Sequence, residues 1–324
     1  MEYQEMPKIE TTETKEKEPE ISYHILYGPH RTAKDFENLK NAFNKADIYI
    51  PELEGWDFKT KDQLNRLSQG ELTPQEFAAE QWINDKSARF RQCQIIYNSK
   101  KPILLVDMPA QHELIPTSDR NDELGKESLK LFAEGDFKSS FNKIRQYVID
   151  ETSFERKREE LIKKNLEEEV KKFIKTDSKL QDRSDINVLL SLGSAHTGIY
   201  HRLKKEKASV SREFSCQPYI FDSIGQAIRE MMFSRRKKPD KLLLARALVE
   251  AWIFDYYIKT KITSDSSKLM LIARKISSHL DFKDIENISQ KLGEASGRII
   301  VDVLLEERGI KILKTEKEID EMLK

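Results

Sequence analysis

The chain has 324 residues, of which 35% are charged and 38% hydrophobic, a charge-rich mixture that still holds enough apolar material for a core. Lys and Arg number 56, as do Asp and Glu, so no net field draws the whole molecule to nucleic acid or to an anionic membrane, and any partner is recognised locally. Gly 11 and Pro 10 make up about 6% of the chain against a usual ~12%, which excludes collagen-like and long low-complexity architectures and favours helices.

Residues 1–20 are acidic and lack the basic-then-apolar order of a secretion signal, so they read as a disordered leader of a cytoplasmic protein. Cys93 and Cys216 stand far apart without CxxC spacing, which fits ordinary thiols in a reducing compartment. Ile21 to Tyr27 alternates as a strand does, and Gly28-Pro29 stops it, placing His30 on the following loop. Phe36, Leu39, Lys40 and Phe43 stand at helical spacing, and Ile48-Tyr49-Ile50 is a second short strand that Pro51 ends, leaving Glu52 and Glu54 at its tip.

A helical section follows, with Thr73-Pro74 as cap and first turn and apolar positions at Phe77, Trp82, Phe90 and Ile95. Pro102 to Val106 is a third apolar run and ends in Asp107. Leu124 to Val148 and Phe154 to Ile174 read as two amphipathic helices, and Ile186 to Leu192 as a fourth run, followed by Gly193-Ser194-Ala195-His196. Beyond Gln217 the pattern is helical, over about 222–235, 240–259, 264–280 and 284–307. Its most apolar stretch, Leu242 to Ile258, is interrupted by Arg246, Glu250 and Asp255, so it reads as a buried helix and not as a membrane span. The run Arg235-Arg236-Lys237-Lys238 lacks interleaved aromatics and reads as a solvated helix end, so nucleic acid is not expected as a partner.

Strands alternating with helices predict an α/β fold: a mostly parallel or mixed central sheet covered by helices, in a core domain over 21–216, with a helical C-terminal region over 217–324 packed on it. Ligands of such sheets gather at the carboxyl ends of the strands. His30, Glu52, Asp107 and His196 each fall at such an end, and all four are of metal-ligand type.

The order of these segments resembles the TIKI/TraB superfamily, whose relatives include erythromycin esterase and ChaN-like proteins. The residues that carry the likeness are Gly28-Pro29-His30, one residue shorter than the family's early Gly-x-x-His, then Glu52 in Ile50-Pro51-Glu52-Leu53-Glu54, and the full late motif Gly193-Ser194-Ala195-His196. Leu104 to Pro109 is similar to the family's apolar strand ending in Asp. Arg158-Glu159 with Asn165-Leu166 resembles its helical signature, with Glu159 in place of a shorter acid or amide.

The resemblance implies a metal-dependent hydrolase acting on a peptide, ester or amide bond of a small molecule or peptide. A divalent ion (Mn, Co or Zn) would be held by His30, Glu52 and His196. In that reading Glu52, Glu54, Arg158 and His196 are the catalytic set, with Glu54 as a base or as a partner that orients an imidazole. Arg158, on the apolar stripe of its helix, would hold a substrate anion or pair with Glu52 or Asp107. Asp107 and Asn165 would support the ligands from behind, and His201, which faces away from the loop if a helix starts near Gly198, has a supporting or a surface role. The alternative is a non-catalytic ligand-binding or regulatory protein of the same fold that sequesters a small peptide or haem-like ligand. The C-terminal helices offer a surface through which copies of the chain could associate.

Overall fold

Four parallel strands form the centre of the molecule. β1 (Glu20–Tyr27), β2 (Ile48–Pro51), β3 (Asp185–Leu192) and β4 (Ser209–Phe214) lie in the order β2-β3-β1-β4. The computed structural model describes residues 19–28, 33–83, 87–215, 221–234, 238–260, 263, 266–294, 305–307, 309–310 and 313–323. Most of the acidic leader, His30, Cys216 and Arg235 to Lys237 lie outside the described residues.

The two-residue period of the strands assigns their side chains to two cores. Tyr23, Ile25 and Tyr27 of β1, with Ile186, Val188, Leu190 and Leu192 of β3, face one side of the sheet. Leu26, Tyr49 and Leu189 face the other, against α1 (Ala33–Lys45), α2 (Phe58–Gln69), α3 (Pro74–Glu80) and α4 (Ala88–Ile96). The Thr73-Pro74 start of α3 is a full capping box: the Thr73 hydroxyl accepts from Glu76 N–H while the Glu76 carboxylate accepts from Thr73 N–H.

α5 (Ile115–Ala133) is followed by α6 (Phe137–Thr176), a helix of 40 residues that at 1.5 Å per residue is about 60 Å long. Two helices were expected here with a break near 149–153; the break instead falls at Glu134-Gly135-Asp136. Gly135 takes a φ of 92° that a side chain would strain, and the Asp136 carboxylate caps Ser139 N–H at 3.0 Å. The C-terminal half of α6, through Ile162, Leu166, Val170 and Ile174, packs on the sheet together with α8 (Thr197–Lys205), which follows the short α7 (Ser178–Gln181) and β3. Its N-terminal half, through Ile144 and Val148, enters a separate helical core with α9 (Ser223–Phe233), α10 (Lys241–Thr260), α11 (Ser266–Ser278), α12 (Phe282–Leu292) and α13 (Glu316–Leu323).

Four further expectations are corrected. Pro102 to Val106 runs extended beside β2 and makes only an isolated parallel bridge, Tyr49 to Ile103. The fourth strand is β4, whose Ser-Val-Ser-Arg-Glu-Phe sequence carries no apolar alternation because it is a solvated edge. Trp82 does not belong to the apolar face of a helix: it sits in a turn after α3 with φ 53° and is 95% exposed. In place of the last expected helix, 284–307, α12 ends at Leu292, residues 295–304 lie outside the described residues, and 305–307 are helical again.

Candidate functional site

β2 pairs with β3 as far as Pro51 and Ser191, and Glu52 N–H then donates to Ser191 O at 2.9 Å. This brings the first side chain past β2 beside the first turn past β3. Ser194–His196 form one tight 3₁₀ turn, with His196 N–H donating to Gly193 O at 3.1 Å, and the buried Tyr27 hydroxyl donates to His196 O at 3.1 Å. Glu52 Oε1 consequently lies 3.0 Å from His196 Nε2, and Gly193 N–H donates to Glu52 Oε2. A Cβ on residue 193 would stand 3.0 Å from Glu52 Oε2, so the glycine of the late motif leaves room for this carboxylate.

The second nitrogen of the imidazole, Nδ1, faces Glu155 Oε2 at 3.3 Å. These two buried atoms have no hydrogen bond of good geometry. His196 is thus held between two carboxylates and is 1% exposed. Burial alone would lower its pKa, but Glu155 and Glu52 outweigh burial and lift it to about 9. Burial works the other way on Glu52, where His196, Arg158 and the Gly193 N–H prevail and hold the carboxyl far below its usual range.

Arg158 rises from α6 into the same cluster, and its three nitrogens meet four carboxylates. Nε donates to Asp107 Oδ1 at 3.0 Å and Nη2 to Asp107 Oδ2 at 2.7 Å, a bidentate fork. Nη2 also reaches Glu52 Oε1 at 3.3 Å, while Nη1 lies 3.1 Å from Glu54 Oε2 and 3.4 Å from Glu155 Oε1. With its side chain 7% exposed, the guanidinium is spent on these partners and presents no open edge to a substrate. Asp107 also caps its own segment, accepting from Met108 N–H at 2.8 Å, and Trp56 Nε1 donates to Asp107 O at 2.8 Å.

Five of the residues singled out in the sequence, Glu52, Glu54, Asp107, Arg158 and His196, therefore meet in one cluster, with Glu52 and Glu54 as its more exposed members. Asn165, two turns along α6 from Arg158, donates to Val106 O at 2.9 Å and pins the chain one residue before Asp107. Of the two roles open to His201, the surface one holds: α8 turns it outward, where it is exposed and packs edge-on to Tyr200 and Phe233. His30 lies outside the described residues.

One residue of the network, Glu155, carries no motif, and Glu159 carries one without an assigned role. Glu155 and Glu159 are 5% and 1% exposed, and burial raises the pKa of both. Glu159 accepts from Gly198 N–H at 2.9 Å, and a Cβ on residue 198 would collide with its carboxylate. The signal for both lay in the stripe of α6: Ile144, Val148, Ile162, Leu166 and Val170 are buried at three- and four-residue spacings, and Glu155, Arg158 and Glu159 fill the same stripe.

A divalent ion suits part of this chemistry. A carboxylate oxygen and an imidazole nitrogen 3.0 Å apart, with a second carboxylate behind the ring, is the arrangement that orients a ligating histidine. Among the described residues no group of three or more His, Cys, Asp or Glu side chains is placed to share an ion.

Comparison of the chain with protein-family models, with curated proteins and with solved structures finds no match. Fold and site together define a class: an α/β protein with an all-parallel four-stranded sheet, whose strand ends carry a buried network of arginine, histidine and carboxylates. Among the described residues no helix is long and apolar enough to cross a membrane.

Proposed function

We propose that the chain is a metal-dependent hydrolase of the TIKI/TraB kind, cleaving a peptide, ester or amide bond in a reducing, cytoplasmic compartment. The observation that carries this reading is the Glu52–His196 pair at 3.0 Å, backed by Glu155 on the other imidazole nitrogen. Glu52 and His196, with His30 as the third ligand expected from the sequence, would hold Mn, Co or Zn, which supplies a Lewis acid and a water of lowered pKa.

The chain's own residues do the rest. Gly193 N–H and Arg158 fix the Glu52 carboxylate, and Glu155 fixes the imidazole. Glu54, on the exposed side of Arg158, is the general base that takes the proton of an incoming water at its carboxylate. Arg158 is a positioning residue that sets the spacing between Glu52, Glu54 and Asp107. The test is hydrolysis of a panel of p-nitrophenyl esters and of fluorogenic peptides by protein reconstituted with Mn, Co or Zn. Turnover that His196→Ala removes supports the reading, and turnover unchanged in that variant contradicts it.

One observation favours a second reading, capture of a small peptide or haem-like ligand without turnover: His196 is 1% exposed, so a bound molecule would meet mainly Glu52 and Glu54. Saturable binding of such a ligand without hydrolysis in the same panel is the result that would favour it.

A further inference from the structure

A second cavity, of about 270 Å³, opens among α5, α6, α9, α10 and α11, and none of its walls belongs to the Arg158 network. Its body is apolar, built from Ile144, the Tyr147 ring, Phe254 and Met270, with the small Ala247 and Ala251 of α10 leaving the space open. An apolar cavity of ~150 Å³ is enough to take a benzene ring, so this one has room for a ring with a short chain.

Its charged groups all carry one sign. Asp122, Asp222 and Glu250 line the cavity, and among the described residues that line it there is no Lys, Arg or His. Glu250 is already matched by Arg274 at 3.4 Å and by the hydroxyl of Ser223. Asp122 and Asp222 line the cavity without such an ion pair among the described residues, Asp222 capping α9 by accepting from Gly225 N–H at 2.6 Å. An apolar body whose charged lining residues are all acidic is the complement of an amphipathic cation.

We infer that this cavity binds a primary or secondary amine carrying an aromatic ring or short alkyl chain, with the ammonium group between Asp122 and Asp222 and the apolar part against Phe254 and Met270. The ligand is chosen by its charge as much as by its shape, so a carboxylate of the same outline is refused.

The experiment is isothermal titration of the full chain at pH 7 with 4-phenylbutylamine and, separately, with 4-phenylbutyrate. The amine should bind with one site per chain and the carboxylate should not. D122N/D222N keeps both side-chain shapes, and asparagine caps α9 as aspartate does. The Kd for the amine should rise about tenfold in that variant. Ala251→Leu, which fills the cavity, should abolish binding. Absence of amine binding, equal affinity for the two probes, or an unchanged Kd in D122N/D222N would each overturn the inference.

Discussion

At Arg158 a planar fork spaces four carboxylates that would otherwise repel one another. Lysine keeps the charge but offers a single point of contact. Arg158→Lys should therefore lower hydrolytic turnover at least tenfold while retaining part of the stability, whereas Arg158→Ala leaves Asp107 buried without a cation and should cost about 3–5 kcal/mol, read by urea denaturation. Equal stability of wild type and Arg158→Ala would contradict the network. Gly198 gives a second residue-level test, because a methyl there collides with the buried Glu159 carboxylate. Gly198→Ala should destabilise by about 1–3 kcal/mol, and Glu159→Asp in the same chain should recover part of the loss by withdrawing the carboxylate. Glu52, Asp107 and His196 could be read from the sequence because each follows an apolar run, and Glu159 stood in the helical signature beside Arg158. Glu155 could not, because in a helix as charged as α6 a buried acid looks like one more residue of the solvated face.

The helix α6 carries a ladder of acids below the site, Glu151 and Glu155 one turn apart, and this makes its stability depend on pH. Burial and then the neighbouring Glu155 charge raise the Glu151 pKa to about 7, with Asn121 donating to the carboxylate at 2.7 Å. An acid whose folded pKa exceeds its unfolded value is protonated in the native state while the unfolded chain has already ionised. Its contribution is therefore fully present below about pH 4.3, the ordinary glutamate pKa, and is lost as pH rises through 7, a loss of about 1–3 kcal/mol. Glu151→Gln keeps an acceptor for Asn121 and should be more stable than the wild type at pH 8 by that amount, with no gain at pH 4. An equal gain at both pH values would show that ionisation of Glu151 is not the cause. The start of α6 also shows where periodicity misleads: the apolar spacing continues across 149–153, and only the Gly135-Asp136 pair, a terminator followed by a cap, marks the true boundary.

α6 also joins the two halves of the molecule, since Ile144 and Val148 lie in the helical core and Ile162, Leu166 and Val170 in the sheet core. A continuous helix buried at both ends couples the two, so the halves should unfold together. Trp56 reports on the sheet side and Trp252 packs on the helical core, so fluorescence and far-ultraviolet circular dichroism should give coincident urea transitions; two separated transitions would show that the cores are independent. The α/β class and the parallel sheet were legible because β1 and β3 are apolar, whereas the polar edge strand β4 was hidden by its exposure. The central claim concerns the strand ends, where Glu52 and His196 meet across β2 and β3, and the metal content of the reconstituted chain tests it most directly. After incubation with Mn, Co or Zn and gel filtration, the account expects about one tightly held ion per chain in the wild type and none in Glu52→Gln or His196→Ala. A wild type that retains no ion, or variants that retain as much as the wild type, would contradict it.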